Sequence, residues 1–212
     1  MNSSVSIKNL CVSICQNRLF SDLNIELSQG QKCIITGESG TGKTTLLKCL
    51  MGFKEPDKGE IRIMDRLILP DSIWDLRTQM TLVQQEPEPG KTNVRQILSR
   101  PFSYKQNRLL SLDKEKLGQL LDSLRLSKNL LDKEIRDLSG GEKQRIALIS
   151  ALLLNRPILL LDEITSALDE DCTRAVIDYF KTLKNTTIIA AAHDKAMHEI
   201  ADKTVTLDRE YT

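Results

Sequence analysis

The segment from Ile34 to Met51 constrains the fold of this 212-residue chain more than any other part of it. An apolar run, Ile34-Ile35-Thr36, leads directly into the glycine-rich stretch GESGTGKT, and a helical pattern follows from Thr44 to Met51. The stretch matches the pattern G-x-x-x-x-G-K-[ST] in full, and it has the strand before it and the helix after it that phosphate binding requires. The glycines let successive N–H groups point inward at phosphate oxygens, while the helix N-terminus adds its positive dipole end.

This loop predicts the residues of a nucleotide site. The ammonium of Lys43 has the reach to contact the β- and γ-phosphates, and the hydroxyl of Thr44 suits magnesium. The predicted ATP-binding residues are Gly37, Glu38, Ser39, Gly40, Thr41, Gly42, Lys43, Thr44 and Thr45. A glycine-rich turn could match the pattern by chance, but the flanking strand and helix favour the functional interpretation. The loop alone indicates an NTPase and leaves its kind open.

Two carboxylates follow a second apolar run. Asp162 and Glu163 come directly after Ile158-Leu159-Leu160-Leu161, at the carboxyl end of a predicted core strand. Ligands of open α/β sheets bind at that edge. Asp162 is therefore expected to hold magnesium, directly or through water, and Glu163 to activate the attacking water as a general base. Two solvated acids at a strand end are the alternative, and the phosphate loop favours function.

The order of apolar runs predicts an α/β fold. Unbroken apolar strands at 158–162 and 187–191 indicate a parallel sheet covered on both faces, with a last strand at 204–208 and helices at 139–155 and about 169–184. Before it, residues 5–36 predict an antiparallel β region, with the turn Gln29-Gly30-Gln31 joining two paired strands. Leucines at helical spacing from Val94 to Leu131 predict a helical subdomain at 86–137, inserted into a core formed by 1–85 and 138–212.

Composition narrows the function classes. The 30 Lys and Arg residues balance 29 Asp and Glu, so the net charge of +1 gives no general polyanion-binding surface. Five cysteines without a C-x-x-C pair argue against a disulfide scaffold or zinc and indicate reduced thiols, with Cys33 and Cys49 in the core. The N-terminus predicts no signal peptide, and Asn155-Arg156-Pro157 interrupts the most apolar region well short of the roughly 20 residues of a membrane span. A membrane role then requires a partner.

The string LSGGEKQR, from Leu138 to Arg145, indicates the family. Locally it is a capping box, with Ser139 as the helix cap and Glu142 three residues later. The two glycines weaken the helix start, which makes sense if the backbone approaches another group closely. The string resembles the signature motif of the ABC ATPase family. This resemblance implies a head-to-tail homodimer or pseudo-dimer in which one subunit contacts the other subunit's ATP through Ser139, Gly140, Gly141, Glu142 and Asp169.

Other strings resemble further motifs of that family. Gln85, at the end of MTLVQQ, resembles the Q-loop glutamine that contacts magnesium and the attacking water; Gln84 is the alternative, and Gln85 is preferred because the loop begins after it. The residues from Ser166 to Asp169 resemble the D-loop, which crosses the dimer interface. His193 resembles the switch histidine that contacts the γ-phosphate, whereas His198 has no such match and is expected at the surface.

The resemblance covers about residues 5 to 208, with its motifs in family order, and two positions depart from it. The aromatic residue that usually stacks on adenine is absent near Ile14, which leaves the choice between ATP and GTP open. Ile164 replaces the usual proline after the acidic pair.

The resemblance implies an ATP-hydrolysing motor subunit of an ABC transporter, using ATP and Mg²⁺. It would work with an integral membrane permease and a second copy of itself, on the cytoplasmic face of a bacterial inner membrane. A soluble ABC ATPase acting on nucleic acid or ribosomes is the alternative, but the single compact domain and the balanced charge favour the motor. Intact motifs argue against an inactive regulatory subunit. The run from LSGGEKQRIALI to LLLDEITSALDE is most similar to a small bacterial group associated with iron export, although lipoprotein-release and amino-acid-uptake motors are similar there.

Overall fold

A computed structural model describes residues 3–15, 17–84 and 92–208, which form two β-sheets with helices packed on them. The antiparallel sheet consists of β1 (Ser3–Ile14), β2 (Asn17–Ser28), β4 (Lys58–Ile63) and β5 (Arg66–Leu67). The parallel sheet consists of β3 (Lys32–Thr36), β6 (Met80–Val83), β7 (Ile158–Asp162), β8 (Thr187–Ala191) and β9 (Lys203–Thr206). Its strands lie in the order β6-β7-β8-β3-β9.

Six α-helices and six short 3-10 turns complete the described chain. The helices are α1 (Lys43–Leu50), α2 (Ile73–Leu76), α3 (Val94–Ser99), α4 (Lys114–Ser123), α5 (Gly140–Leu153) and α6 (Glu170–Thr182). The 3-10 turns are Arg77–Gln79, Arg100–Ser103, Lys105–Asn107, Lys128–Asp132, Ile135–Asp137 and Lys195–Ile200. Across 3–15, 17–84 and 92–208, no helix combines the length and the apolar character needed to cross a bilayer.

The parallel sheet is the centre of the core because its strands are buried on both faces. Successive side chains of a strand point to opposite sides, so Leu159 and Leu161 of β7 pack into the cluster with α4, α5 and α6. Ile158 and Leu160 pack into the other cluster, which contains α1 and the antiparallel sheet. Cys33 joins that second cluster, and all five cysteines are free thiols. The predicted fold, an α/β core with a parallel sheet and an N-terminal antiparallel region, is confirmed.

The predicted pairing across the Gln29-Gly30-Gln31 turn is wrong. Strand β2 pairs with β1, whereas β3 pairs in parallel with β8 and β9, so the turn carries the chain from one sheet to the other. Burial explains the difference. Four of the five residues of β3 are buried, whereas β2 carries several exposed residues. A strand with both faces apolar gains most at the centre of a covered parallel sheet.

The segment from Val94 to Leu131 is less helical than the leucine spacing predicts. Helix α3 ends at Ser99, and the 3-10 turn Arg100–Ser103 follows it; Pro101 in that turn has no N–H to donate to a carbonyl one helical turn back. Helix α4 begins at Lys114, and the side chain of the preceding Asp113 caps the N–H groups of Glu115 and Lys116. Turns and loops fill the remainder.

The two ends of this segment lie side by side. The N–H of Val94 donates to the carbonyl of Lys133 at 3.1 Å, and the N–H of Ile135 donates to the carbonyl of Thr92 at 3.0 Å. The segment thus leaves and re-enters the rest of the chain at one place. Residues 86–91 of the predicted 86–137 subdomain lie outside the described residues.

Candidate nucleotide site

The glycine-rich loop lies between β3 and α1, at the carboxyl edge of the parallel sheet. Helix α1 begins at Lys43, and its N-cap is Gly42, with a φ of 101° that side-chain-bearing residues rarely adopt. The β1–β2 hairpin packs against this point. A Cβ atom at Gly42 would lie 3.0 Å from Cε1 of Phe20 and 3.1 Å from Cβ of Leu19. Conformation and close packing therefore both favour glycine here.

Lys43 is a buried cation at the start of α1. Its side chain is 4% exposed, and its Nζ donates to the carbonyls of Gly37 at 2.9 Å and Glu38 at 3.0 Å. The same Nζ lies 3.6 Å from Oε1 of Glu163. The loop thus places one positive charge between its own backbone and the acid that follows β7.

Thr44 and Asp162 form an oxygen pair across two elements. The Thr44 hydroxyl donates to Oδ1 of Asp162 at 3.0 Å, which joins α1 to the end of β7. Burial raises the pKa of Asp162 above its usual range, and the hydrogen bond from Thr44 opposes this shift. A hydroxyl and a carboxylate side by side are hard oxygen donors, which Mg²⁺ prefers together with phosphate oxygens and water. The pair therefore fits a magnesium ion.

Glu163 lies between Lys43 and His193. Its Oε1 is 3.1 Å from Nε2 of His193 and 3.6 Å from Nζ of Lys43. Its backbone has a φ of 48°, and its N–H donates to the carbonyl of Ala191 on the neighbouring strand at 2.9 Å. A side-chain-bearing residue in this left-handed region is uncommon, and such strain clusters at functional sites.

The order of the strands explains how these residues meet. Asp162 ends β7, His193 follows β8, and the glycine-rich loop follows β3. Strands β7, β8 and β3 are consecutive neighbours in the sheet. Parallel neighbours end at the same edge, so residues about 120 to 150 positions apart in the chain converge there.

A second group surrounds the start of α5. The Ser139 hydroxyl accepts from the N–H of Glu142 at 3.2 Å, and a Glu142 carboxylate oxygen accepts from the N–H of Ser139 at 2.8 Å, so the predicted capping box is present. A Cβ atom at Gly141 would lie only 2.8 Å from the carbonyl oxygen of Ala167, whereas the nearest atom to one at Gly140 is 3.9 Å away. The glycines were expected where the backbone approaches another group closely. At Gly141 that group is the 166–169 segment of the same chain.

Asp169 caps helix α6 in this group. Its Oδ1 accepts from the N–H of Cys172 at 2.7 Å, and this bond lowers the pKa of Asp169. Gln85 lies outside the described residues. The preceding residue, Gln84, is described, and its carbonyl accepts a hydrogen bond from the side chain of Gln144 at 3.0 Å.

Sequence reasoning assigned no role to Gln144 or Arg145. Both are buried within α5, with exposed fractions of 3% and 8%. The signal that could have found them is local: Gln144 and Arg145 are the last two of four consecutive polar residues, Glu142 to Arg145, that stand directly before the apolar run that begins at Ile146. Polar side chains that are buried next to such a run need hydrogen-bond partners.

Comparison with known proteins gives three findings. A family model described as "ABC transporter" matches residues 20–166. The L-cystine import ATP-binding protein TcyC of Bacillus subtilis is 30% identical over 215 residues, covering 96% of this chain and 86% of that protein. The ATP-dependent lipid A-core flippase of Neisseria meningitidis serogroup B is 35% identical over 213 residues, covering 96% of this chain and 34% of the flippase.

A solved structure shares the fold. It is a dimeric ATP-binding cassette in a post-hydrolysis state, bound to ADP and phosphate, and it superimposes with a TM-score of 0.82 at 23% identity. The superposition covers 98% of this chain and 97% of that one.

Proposed function

Because the chain belongs to the ABC transporter family, we propose that it is the ATP-hydrolysing motor subunit of a transporter whose membrane-spanning part is a separate partner. The chain binds ATP with Mg²⁺ and hydrolyses the ATP to ADP and phosphate. The site residues carry out the steps of that reaction, and the released energy drives transport.

One observation carries the assignment of roles: the Glu163 carboxylate lies between Lys43 and His193, beside the Thr44–Asp162 pair. The phosphate loop and Lys43 hold the β- and γ-phosphates. Thr44 and Asp162, with Gln85, would hold Mg²⁺, which would supply positive charge beside the phosphate oxygens.

Glu163 orients the attacking water and accepts its proton as the bond to the γ-phosphorus forms and the bond to the leaving ADP oxygen breaks. His193 holds the Glu163 carboxylate through its Nε2 and contacts the γ-phosphate. Positioning and charge neutralisation supply most of the catalysis in phosphoryl transfer. The rate of hydrolysis therefore depends on the placement of Lys43, Glu163 and His193 relative to one another.

We assign a trans role to the group at the start of α5. In a head-to-tail dimer, Ser139, Gly140, Gly141 and Glu142 of one subunit close over the ATP of the other, with Asp169 at the interface. The absence of a side chain at Gly140, where a Cβ atom would make only an ordinary 3.9 Å contact with Ala167, supports this role, because a phosphate can approach the backbone there. The 86–137 segment is the helical subdomain that passes closure to the membrane partner, on the cytoplasmic face of the membrane.

The first test is a pull-down of the tagged chain from its native membranes in mild detergent, with partners identified by mass spectrometry. An integral membrane protein in stoichiometric yield is the expected result. If ribosomes, nucleic acid or soluble proteins come down in its place, the ATPase chemistry stands and the transport assignment is wrong.

A second test addresses the phosphate loop. Lys43→Ala removes the ammonium that neutralises phosphate charge, so binding of a fluorescent ATP analogue should weaken strongly. Lys8→Ala, which removes an exposed lysine of β1, is the control. ATP affinity at the parent level in Lys43→Ala contradicts the assignment of the loop.

For the cargo we propose iron or another metal ion, which the transporter exports. This cargo is supported by the similarity of the run from LSGGEKQRIALI to LLLDEITSALDE, residues 138–170, to the motors associated with iron export. ATP-driven uptake of Fe²⁺ into inside-out vesicles that contain the chain and its membrane partner tests it. Absence of ATP-dependent metal flux in vesicles whose ATPase is active discards this cargo and leaves the motor assignment intact.

A further inference from the structure

Helix α5 carries two buried polar side chains that the assigned reaction does not use. Gln144 and Arg145 are consecutive, and both point into the protein rather than to solvent. Burying a guanidinium is costly unless hydrogen bonds satisfy it. The hydrogen-bond partners of these two side chains therefore show which parts of the chain α5 connects.

Arg145 joins three pieces of the chain. Its Nε donates to the carbonyl of Gly141 at 3.2 Å, within its own helix. Its Nη1 lies 3.1 Å from the carbonyl of Leu124 and 3.2 Å from that of Arg125, at the end of α4, and 2.9 Å from Sγ of Cys172 in the first turn of α6. The carbonyls at a helix C-terminus carry partial negative charge, so a guanidinium suits this position.

Gln144 joins α5 to a fourth piece. Its Nε2 donates to the carbonyl of Gln84 at 3.0 Å, at the residue that follows β6 and precedes Gln85. Together the two side chains connect the start of α5 to the 166–172 region, to the end of α4 and to the end of β6.

The backbone contact at Gly141 reinforces this connection. The spacing to the Ala167 carbonyl leaves no room for a side chain, so the 139–142 and 166–169 segments lie against each other. Both segments are assigned above to the face that meets the second subunit. Their relative placement decides whether that face matches the partner's ATP.

We propose that Gln144 and Arg145 are positioning residues for ATP hydrolysis, which hold the 139–142 segment in register with the 166–169 segment and with the end of β6. This inference rests on the proposed trans role of residues 139–142. Neither side chain is assigned a contact with the nucleotide of its own subunit. Loss of either one loosens the trans face while the phosphate loop keeps its affinity for ATP.

The test uses Glu163→Gln as the parent, because stalled hydrolysis makes ATP-dependent dimers measurable by light scattering after gel filtration. Arg145→Met keeps the length of the side chain and removes the charge. We expect its dimers to need roughly tenfold more protein, the factor for re-ordering about one backbone residue of the loosened face on closure, with unchanged binding of a fluorescent ATP analogue to the monomer. Arg174→Gln is the matched control: it removes an exposed cation of α6 that pairs with Glu199, and its dimers should form as in the parent.

Two further variants separate positioning from general stability. Arg145→Lys restores the charge without the planar fork and should recover dimers in part. Gln144→Ala, with Glu163 intact, removes a single hydrogen bond and should lower kcat while ATP binding to the monomer stays at the parent level; this result decides the question even if Arg145→Met fails to fold.

The outcomes are distinguishable. Parent-level dimer formation in Arg145→Met, or a parent-level kcat in Gln144→Ala, overturns the positioning role. Failure of the Glu163→Gln parent itself to dimerise with ATP overturns the proposed trans site instead.

Discussion

The two glycines at the start of α5 permit a test of the trans site. Alanine at one of them should stabilise the fold, and alanine at the other should destabilise it. In Gly140→Ala the added Cβ meets its nearest atom, Cβ of Ala167, at an ordinary 3.9 Å. In Gly141→Ala it meets the Ala167 carbonyl oxygen at 2.8 Å and Cδ2 of Leu168 at 3.3 Å. Only the second change forces the backbone of the 166–169 segment to move.

The magnitudes follow from this geometry. Replacing glycine by alanine in a helix stabilises by about 0.5–1 kcal/mol where there is room, so Gly140→Ala should raise the Tm by about 1–4 °C. Overpacking costs about 1–3 kcal/mol, so after that gain is subtracted Gly141→Ala should lose up to about 2.5 kcal/mol, and its Tm should fall by up to about 10 °C. Differential scanning calorimetry without nucleotide measures both shifts.

The functional readout is ATP-dependent dimer formation in the Glu163→Gln parent. Gly140→Ala should bind ATP as a monomer at the parent level but fail to dimerise, because the added methyl occupies the space through which the partner's phosphate approaches. Dimer formation by Gly140→Ala at the parent's ATP concentration refutes the trans assignment of this segment. A Tm loss in Gly140→Ala equal to that in Gly141→Ala refutes the packing argument.

Three other substitutions test separate parts of the site. Glu163→Gln should keep ATP binding and lower the rate of phosphate release by roughly 10²–10⁴-fold, as expected for loss of a general base; turnover at the parent rate excludes Glu163 from that role. Asp162→Asn should raise the Tm of the Mg²⁺-free chain at neutral pH, because burial penalises the charged form and raises the pKa of Asp162. This gain should shrink as the pH falls through that raised pKa, where the parent's carboxylate takes up a proton in the folded state; a gain that is independent of pH contradicts the argument. Ile14→Tyr should tighten ATP binding by about 1–3 kcal/mol if the exposed end of the β1–β2 hairpin faces the base. If the variant and the parent bind a fluorescent ATP analogue with equal affinity, the base lies elsewhere.

Much of the candidate site could be predicted because its signals are local. The GESGTGKT loop, the acids after β7 and the capping box at Ser139 each lie within a few consecutive residues. Backbone conformation, helix capping and strand burial depend mainly on such short stretches. The α/β class and the bounds of β7 and β8 followed from the same kind of pattern.

The pairings between distant residues could not be predicted in this way. The sequence around Gln29 suits a hairpin, but β2 and β3 belong to different sheets. A central strand of the parallel sheet is buried on both faces, so that position favours β3, whose two faces are both apolar. The 3.1 Å approach of His193 to Glu163 follows from β7 and β8 being neighbours, and no local pattern contains that order.

The order of amino acids specifies which chemical groups the chain carries and at which element ends they stand. The contacts of each group are established by folding: Gly141 lies against the Ala167 carbonyl, and Arg145 joins the end of α4 to α6. The physical reason is that propensity and capping act over one or two turns of chain, whereas strand order and the pairing of buried polar groups are decided by burial across the whole domain.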